Sequence, residues 1–478
     1  MLTWDNAGAM GNGDLGGAGS HGSVLRGLAA VPRSSTGEGR FGRMFRTLRP
    51  FAPGDTALSA LAAGMAPATA AADADPAGNN PDIPSGYTYV AQFVDHDITF
   101  DPASVLERVN DPDGLHNFRT PRFDLDSVYG GGRAQTPFLY DEEDPVKLLV
   151  GHNPAPIHEP EDLPRNQQGR ALIVDPRNDV HVLVSQLHLA FIRFHNAVVD
   201  HLRGRFFPEA EVTDEARRLT CWHYQWVVVH DFLKRLVGPE VLSEVLVKDK
   251  RTKGWKADLR FYAWRNTPFM PVEFSGAAYR FGHSMVRDGY KLNDELDVIP
   301  VFSPALTPNP LQQLGGFRPL PKRWKVDWSM FFVVSGSTPQ PSRLIDTTLA
   351  GPLHQLPVGV DKPRRSLALL NLLRGRALQL PSGQAVAAAM GTSRPDSDLG
   401  LEGEAPLWYY LLRESEVVAQ GRRLGPTSAR IVAEVLLGLL KGDPSSFLRK
   451  APAWVPELPS ENPGEFTMVD ILRFAGVA

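Results

Sequence analysis

Residues 91–100 read AQFVDHDITF, a histidine between two aspartates with a glutamine four positions upstream. Three ionisable groups in a row are costly to bury unless each finds its own partner. On a helix each residue turns about 100° around the axis, so Gln92 and His96 share a face while Asp95 and Asp97 flank it. One helix would then offer a polar pair to one cavity and a carboxylate to either side. Adjacent helical residues do not converge on one ion, which argues against a His–Asp chelate. Read locally, the same run also describes a wet helix end.

Four further stretches carry chemistry-bearing residues. In RTPRFDLDSVYGGG (119–132), Thr120, Asp124 and Asp126 alternate with residues able to offer main-chain carbonyls. That is a set of hard oxygens suited to Ca²⁺, without the spacing or closing Glu of an EF-hand. AAYRFGHSMV (277–286) sets Arg280 three residues before His283, and DPRND (175–179) contains Arg177. Taken singly, such a histidine reads as a core residue and such an arginine as a solvated turn. In LALLNLLRGR (367–376), Asn371 and Arg374 interrupt an apolar helix and need partners inside.

The elements that must position these residues are mainly helical. Periodicity predicts a helix over 89–100 and another over 183–202. A third is predicted from Thr213, with two acids in its first turn, to a stop at Gly238-Pro239. Residues 365–378 and 428–442 follow the same pattern. Alternating strand runs are scarce, and Pro-rich loops separate the helices. Residues 1–50 read as an irregular arm, 52–82 as a loop with one short helix, and 51–478 as a single large helical domain with little β. His181, His188 and His195 recur every seven residues. At a spacing of about 10 Å along the axis they form a core face rather than a metal stripe.

Bulk composition excludes several classes. The chain has 478 residues, 42% hydrophobic and 22% charged, so a large core is feasible. A formal charge of −4 gives no basic footprint for nucleic acid. The single cysteine, Cys221, cannot form an internal disulfide and gives no basis for a linked dimer. No apolar run reaches the length of a membrane-spanning helix, and the first residues lack the pattern of a secretory leader. A cytoplasmic location is the default expectation, with leaderless export open and oligomeric state unread.

Each motif is modest alone, but their order is specific. QFVDHD, then T-x-R-x-D-x-D-S-V-Y-G, then DPRND…HLAFIRFHN, YRFGHS and LNLLRGR resembles the animal-type haem peroxidase superfamily, typified by myeloperoxidase and the cyclooxygenases. The similarity runs from about residue 86 to 440 and looks closest to the bacterial branch. The resemblance implies that His96 is the distal base, with Gln92 its pocket neighbour and Arg177 the distal arginine. It implies that His283 ligates the iron of haem b and that Asn371 accepts a hydrogen bond from its other ring nitrogen. Arg280 and Arg374 would pair with propionates, and Phe100 would border the haem. Asp97, Thr120, the carbonyl of Arg122, Asp124 and Asp126 would bind Ca²⁺. Family members commonly carry Ser where Asp126 stands, so the departure adds a negative charge.

The implied activity is reduction of hydrogen peroxide through a ferryl compound I, with oxidation of small organic or (pseudo)halide donors. In the mammalian members an Asp and a Glu esterify the haem, and in one of them a Met adds a sulfonium link. Asp95 matches the ester Asp, whereas Val180 and His181 stand at the Glu and Met positions, so at most one ester is expected. One rival is a fatty-acid oxygenase of the cyclooxygenase or α-dioxygenase kind. Those enzymes place a radical-forming tyrosine three residues before the proximal histidine, where this chain has Arg280, with Tyr279 one residue further back. Another is a calcium-binding scaffold with a vestigial haem site.

Overall fold

The computed structural model describes residues 39–68, 75–100, 116–117, 119–151, 162–303, 309–356 and 365–478. Its architecture is mainly α. The first helices in chain order are α1 (Asp55–Gly64), α2 (Gly86–Ile98), α3 (Asp126–Tyr129), α4 (Val182–Gly204), α5 (Glu209–Val227) and α6 (Lys234–Val245). They are followed by α7 (Val272–Gly276), α8 (Leu367–Ala377), α9 (Gly383–Met390) and α10 (Asp396–Leu399). The last are α11 (Leu407–Val418), α12 (Pro426–Gly442), α13 (Phe447–Lys450) and α14 (Met468–Phe474).

Helix α4 is the centre of the core. Leu183, Val184, Leu187, Ala190, Phe194 and Val198 are fully buried, and the helix packs against α2, α5 and α14. A helix apolar around its circumference is covered on all sides. By length and composition α4 could also cross a membrane, yet 83% of the relevant window is inside the molecule. His181 caps its start, its Nδ1 accepting from Leu183 N at 3.3 Å. His188 and His195 are buried on the helix, in keeping with a core face.

One boundary differs from the sequence reading. Helix α5 begins at Glu209, not Thr213, because Pro208 supplies the break and Glu209 and Glu211 suit the first turn. Its continuation runs through a π-helical stretch, Val228–Leu233, before Gly238 interrupts the helix at φ +77°. The π turn brings Asp231 inward. Its carboxylate accepts from Tyr87 Oη at 2.8 Å, from Met468 N at 2.9 Å and from Arg235 Nε at 2.7 Å. This clamps the first turn of α2. Gly86, at its first position, has no room for a side chain, since a Cβ would lie 2.4 Å from the Phe332 ring.

Strands are short. Gly39–Gly42 pairs antiparallel with His116–Asn117 and parallel with Met270–Pro271. Residues 39–50, read from sequence as part of an irregular arm, are therefore anchored. Buried Glu273 accepts from Met44 N and Phe45 N, and Arg43 donates to the carbonyls of Leu378 and Gln379. The expected short helix between 52 and 82 is α1.

Candidate haem and metal site

Helix α2 extends from Gly86 to Ile98, so the periodicity argument holds for the opening stretch. His96 and Asp97 are fully buried, and Gln92 and Asp95 are half-buried. Nδ1 of His96 lies 2.7 Å from Oδ1 of Asn178. An amide oxygen only accepts, so Nδ1 carries the proton and Nε2 is the basic nitrogen. Asn178 is oriented in turn by His188, whose Nδ1 lies 2.9 Å from the amide nitrogen. Burial lowers the pKa of His188 to about 4, so it stays neutral and can accept.

Arg177 is less available than the sequence reading supposed. Its NH2 donates to the carbonyls of His96 and Thr99 at 3.0 and 2.6 Å, satisfying the open end of α2. The same nitrogen lies 2.7 Å from Asp175, and Nε reaches both oxygens of that carboxylate. Phe100, expected to border the haem, lies with its ring 4.4 Å from the Arg177 guanidinium carbon. That is a cation–π contact that immobilises the arginine.

On the other side, Ala278–His283 is a 3₁₀ helix. Residues three apart eclipse in such a helix, so Arg280 shares the face of His283 and Tyr279 does not. Asn371 of α8 meets His283 with Nδ2 to Nδ1 at 2.8 Å, while its Oδ1 accepts from Arg280 NH1 at 2.8 Å. The residues predicted to meet do so, but the hydrogen bond has the opposite sense. Arg280 holds the amide oxygen that was expected to accept from the ring. Arg374 lies half-buried on α8, three residues beyond Asn371.

Asp95 connects the two halves. Burial raises its pKa, opposed by Arg177 from the His96 side and Arg280 from the His283 side. The two histidine-bearing segments, α2 and Ala278–His283, also pack directly against each other. Thr99 Oγ1 donates to Asp95 Oδ1 at 3.1 Å. Asp179, the nearest acid to Val180, is turned away and bound at 2.7 Å to both terminal nitrogens of Arg165. His181 stacks on Tyr89, ring centroids 5.1 Å apart.

Asp97, Asp124 and Asp126 bring ligand oxygens within 4.8 Å of one another. Asp97 takes hydrogen bonds from Ser127 Oγ at 3.2 Å and Leu125 N at 3.4 Å, and Thr120 Oγ1 donates to Asp124. Arg122 lies in the turn between them, its N bonded to Thr120 O at 2.7 Å. Burial first, and then the neighbouring Asp126, push Asp124 up to about 7 and Asp97 well above the carboxylate range. Burial and like charge both oppose three ionised carboxylates here, and a hard dication would relieve them. The donor set therefore fits the ion. The added charge of Asp126 is offset in part by the buried guanidinium of Arg119 at 3.6 Å.

Sequence reasoning placed His188 on a buried face without its contact to Asn178, and missed Asn178, Asp175, Arg119 and Ser127. Asn178 and Asp175 stood inside a motif already singled out for Arg177, but only the fold shows which side chains they face.

The mainly α chain thus holds two imidazoles by amides on segments that pack against each other, beside a cluster of hard oxygens. The sequence profile of the animal haem peroxidase family matches residues 107–405, more than half of the chain, and the chain belongs to that family. Membership implies haem binding. Among curated relatives, the chorion peroxidase of Aedes aegypti is 25% identical over 301 residues, covering 62% of this chain and 36% of the relative. A peroxidase-like protein of Margaritifera margaritifera is 31% identical over 118 residues, 24% of this chain and 14% of that protein. The chain thus spans well under two thirds of these relatives. Among solved structures, peroxidase A from Dictyostelium discoideum superposes with a TM-score of 0.61 at 12% identity, covering 92% of this chain and 95% of that one. The fatty acid α-dioxygenase of Arabidopsis thaliana gives 0.54 at 16% identity, over 77% and 67% of the two chains. These two likenesses concern the fold.

Proposed function

We propose that the chain is a haem b peroxidase that reduces hydrogen peroxide and oxidises small organic or (pseudo)halide donors, with a structural Ca²⁺ beside the distal helix. The observation that carries this reading is the paired mounting of His96 by Asn178 and His283 by Asn371, on α2 and a 3₁₀ segment that pack against each other. When bound, the haem iron supplies the two-electron chemistry of O–O cleavage. The chain supplies the proton handling. With haem bound, Nε2 of His96, kept basic by the Asn178 contact, would accept and hand on a peroxide proton. Arg177 holds its positive charge beside this site while its ties to Asp175 keep it in place. Gln92, on the same helix face as His96, adds an amide for peroxide or water.

His283 is the residue to ligate iron, with Arg280 and Arg374 the cations for the propionates. Were Arg280 to turn from Asn371 to a propionate, the amide could turn over and accept from the ring N–H of His283, the sense expected from the resemblance. Asp95 is the carboxylate proposed for an ester, and Asp179, the acid next to Val180, is held by Arg165. Asp97, Thr120, the Arg122 carbonyl, Asp124 and Asp126 are the ligands for Ca²⁺.

The fatty-acid oxygenase reading draws on the same fold. It needs a tyrosine on the face of His283, and in the 3₁₀ turn that face belongs to Arg280. The deciding experiment is an optical spectrum of haem-loaded protein followed by peroxide-driven oxidation of phenols, bromide and thiocyanate. A Soret band and donor turnover that falls at least ~100-fold in His96→Ala are expected. Failure to retain haem, or oxygen uptake with a fatty acid in the absence of peroxide, would replace this reading.

A further inference from the structure

A row of buried charges joins the metal ligands to the distal arginine. Arg119, with no exposed surface, lies 3.6 Å from Asp126 through NH1 and 2.8 Å from Asp175 through NH2. Its Nε also donates to Asp175 Oδ2 at 3.1 Å. Asp175, equally buried, grips Arg177 by Nε, NH2 and the main-chain N–H. Arg177 then closes on the carbonyls of His96 and Thr99. Along this row the carboxylates of Asp97, Asp124, Asp126 and Asp175 face the guanidiniums of Arg119 and Arg177. Counted as fully ionised, and leaving aside Asp95, on which Arg177 also acts, these four carboxylates and two guanidiniums leave two negative charges, the charge of one divalent cation. Asp443 and Arg217, which also act on Asp124, oppose one another.

We propose that Arg119 and Asp175 are positioning residues through which a divalent cation at Asp97, Asp124 and Asp126 sets the hold of Arg177 on the end of the distal helix. The inference rests on the cation site proposed above. Arg119 is shared between Asp126 and Asp175. With the cation in place, Asp126 is compensated and Arg119 is left to Asp175, which keeps the carboxylate fixed as a seat for Arg177. Without the cation, Arg119 is drawn towards the three carboxylates, and Asp175 loses one of its two cationic partners. Coupling of this kind is reciprocal, so altering Asp175 must alter cation affinity although Asp175 is not one of the cation's ligands.

The test is a calorimetric Ca²⁺ titration of haem-loaded, calcium-stripped protein. Asp175→Asn releases Arg119 towards Asp126 and should weaken Ca²⁺ binding about tenfold. In an Arg119→Met background, the same Asp175→Asn change should shift affinity by less than about twofold, because the connecting cation is gone. A loss that is equal with and without Arg119, or no loss at all while the parent chain binds Ca²⁺, overturns the coupling and leaves the cation site standing. A parent chain that binds no Ca²⁺ removes the site and the coupling together. Should Asp175→Asn fail to fold, Arg177→Met reads the same row from its other end. Asp175 then draws Arg119 away from Asp126, so Ca²⁺ should bind more tightly, and unchanged or weaker binding counts against the proposal.

Discussion

Nδ1 of His96 lies 2.7 Å from Oδ1 of Asn178, a residue on a separate segment whose amide is fixed in turn by His188. The contact decides which ring nitrogen is basic. A distal base with the other tautomer would present an N–H where a lone pair is needed, so the short Pro176–Asp179 turn is as much a part of the site as the helix that carries the histidine.

Asn178→Leu keeps the volume and removes the acceptor. The peroxide reaction should slow by about tenfold to a hundredfold, the range seen when an orienting partner is removed. Haem content should be unchanged. Stopped-flow mixing of the haem-loaded variant with peroxide is the measurement, and a rate equal to that of the parent chain would show that Asn178 does not set the tautomer.

Asp95 is the proposed site of a covalent tie to haem. Acidified acetone should therefore release haem carrying at most one modification, and Asp95→Asn should release all of it unmodified. Mass measurement of the extracted haem checks both. A second modified position would mean that a residue other than Asp95 reacts.

Chelation should destabilise the fold. Three carboxylates crowd within 4.8 Å, and an ion at a hundred times its dissociation constant stabilises by about 2.7 kcal/mol. EDTA should lower the melting temperature by several degrees, and Ca²⁺ should restore it. Asp124→Ala should melt at one temperature with or without chelator. An unchanged melting curve for the parent chain under EDTA would remove the ion from the account.

Stability should fall in mild acid for a reason separate from the carboxylates. Burial holds His188, His195 and His223 at about 4, against about 6.5 in an unfolded chain. Between those values the unfolded state binds more protons, so stability is full above about pH 6.5 and declines towards pH 4. Each ring should contribute roughly 1–2 kcal/mol of loss by pH 5. Urea midpoints at pH 7 and pH 5 measure the sum, and His188→Gln should flatten part of the slope.

Asn371→Leu removes the side chain that meets His283 and holds Arg280. Haem should transfer to a haem-free acceptor protein about tenfold faster than from the parent chain. Transfer at the parent rate would place His283 elsewhere than on the metal.

The local patterns fixed what kinds of groups were available and which helix faces they occupied. Helical period put His96 and Gln92 on one face of α2 and Asp97 on another, and the structure keeps that division. The order of five motifs pointed to the family. Local pattern also identified Thr120, Asp124 and Asp126 as oxygen donors, since their spacing is short and self-contained. It could not identify Asn178 as the partner of His96, because the two are 82 residues apart and an amide carries no mark of the ring it will face. Nor could it show that Arg177 is tied to Asp175 and to the end of α2, or that Arg280 rather than the imidazole occupies the amide oxygen of Asn371. Side-chain type and periodicity are properties of neighbours along the chain. Tautomers, shared cations and the balance of buried charge are set by groups that meet only when distant segments pack, and in this molecule those meetings define the site.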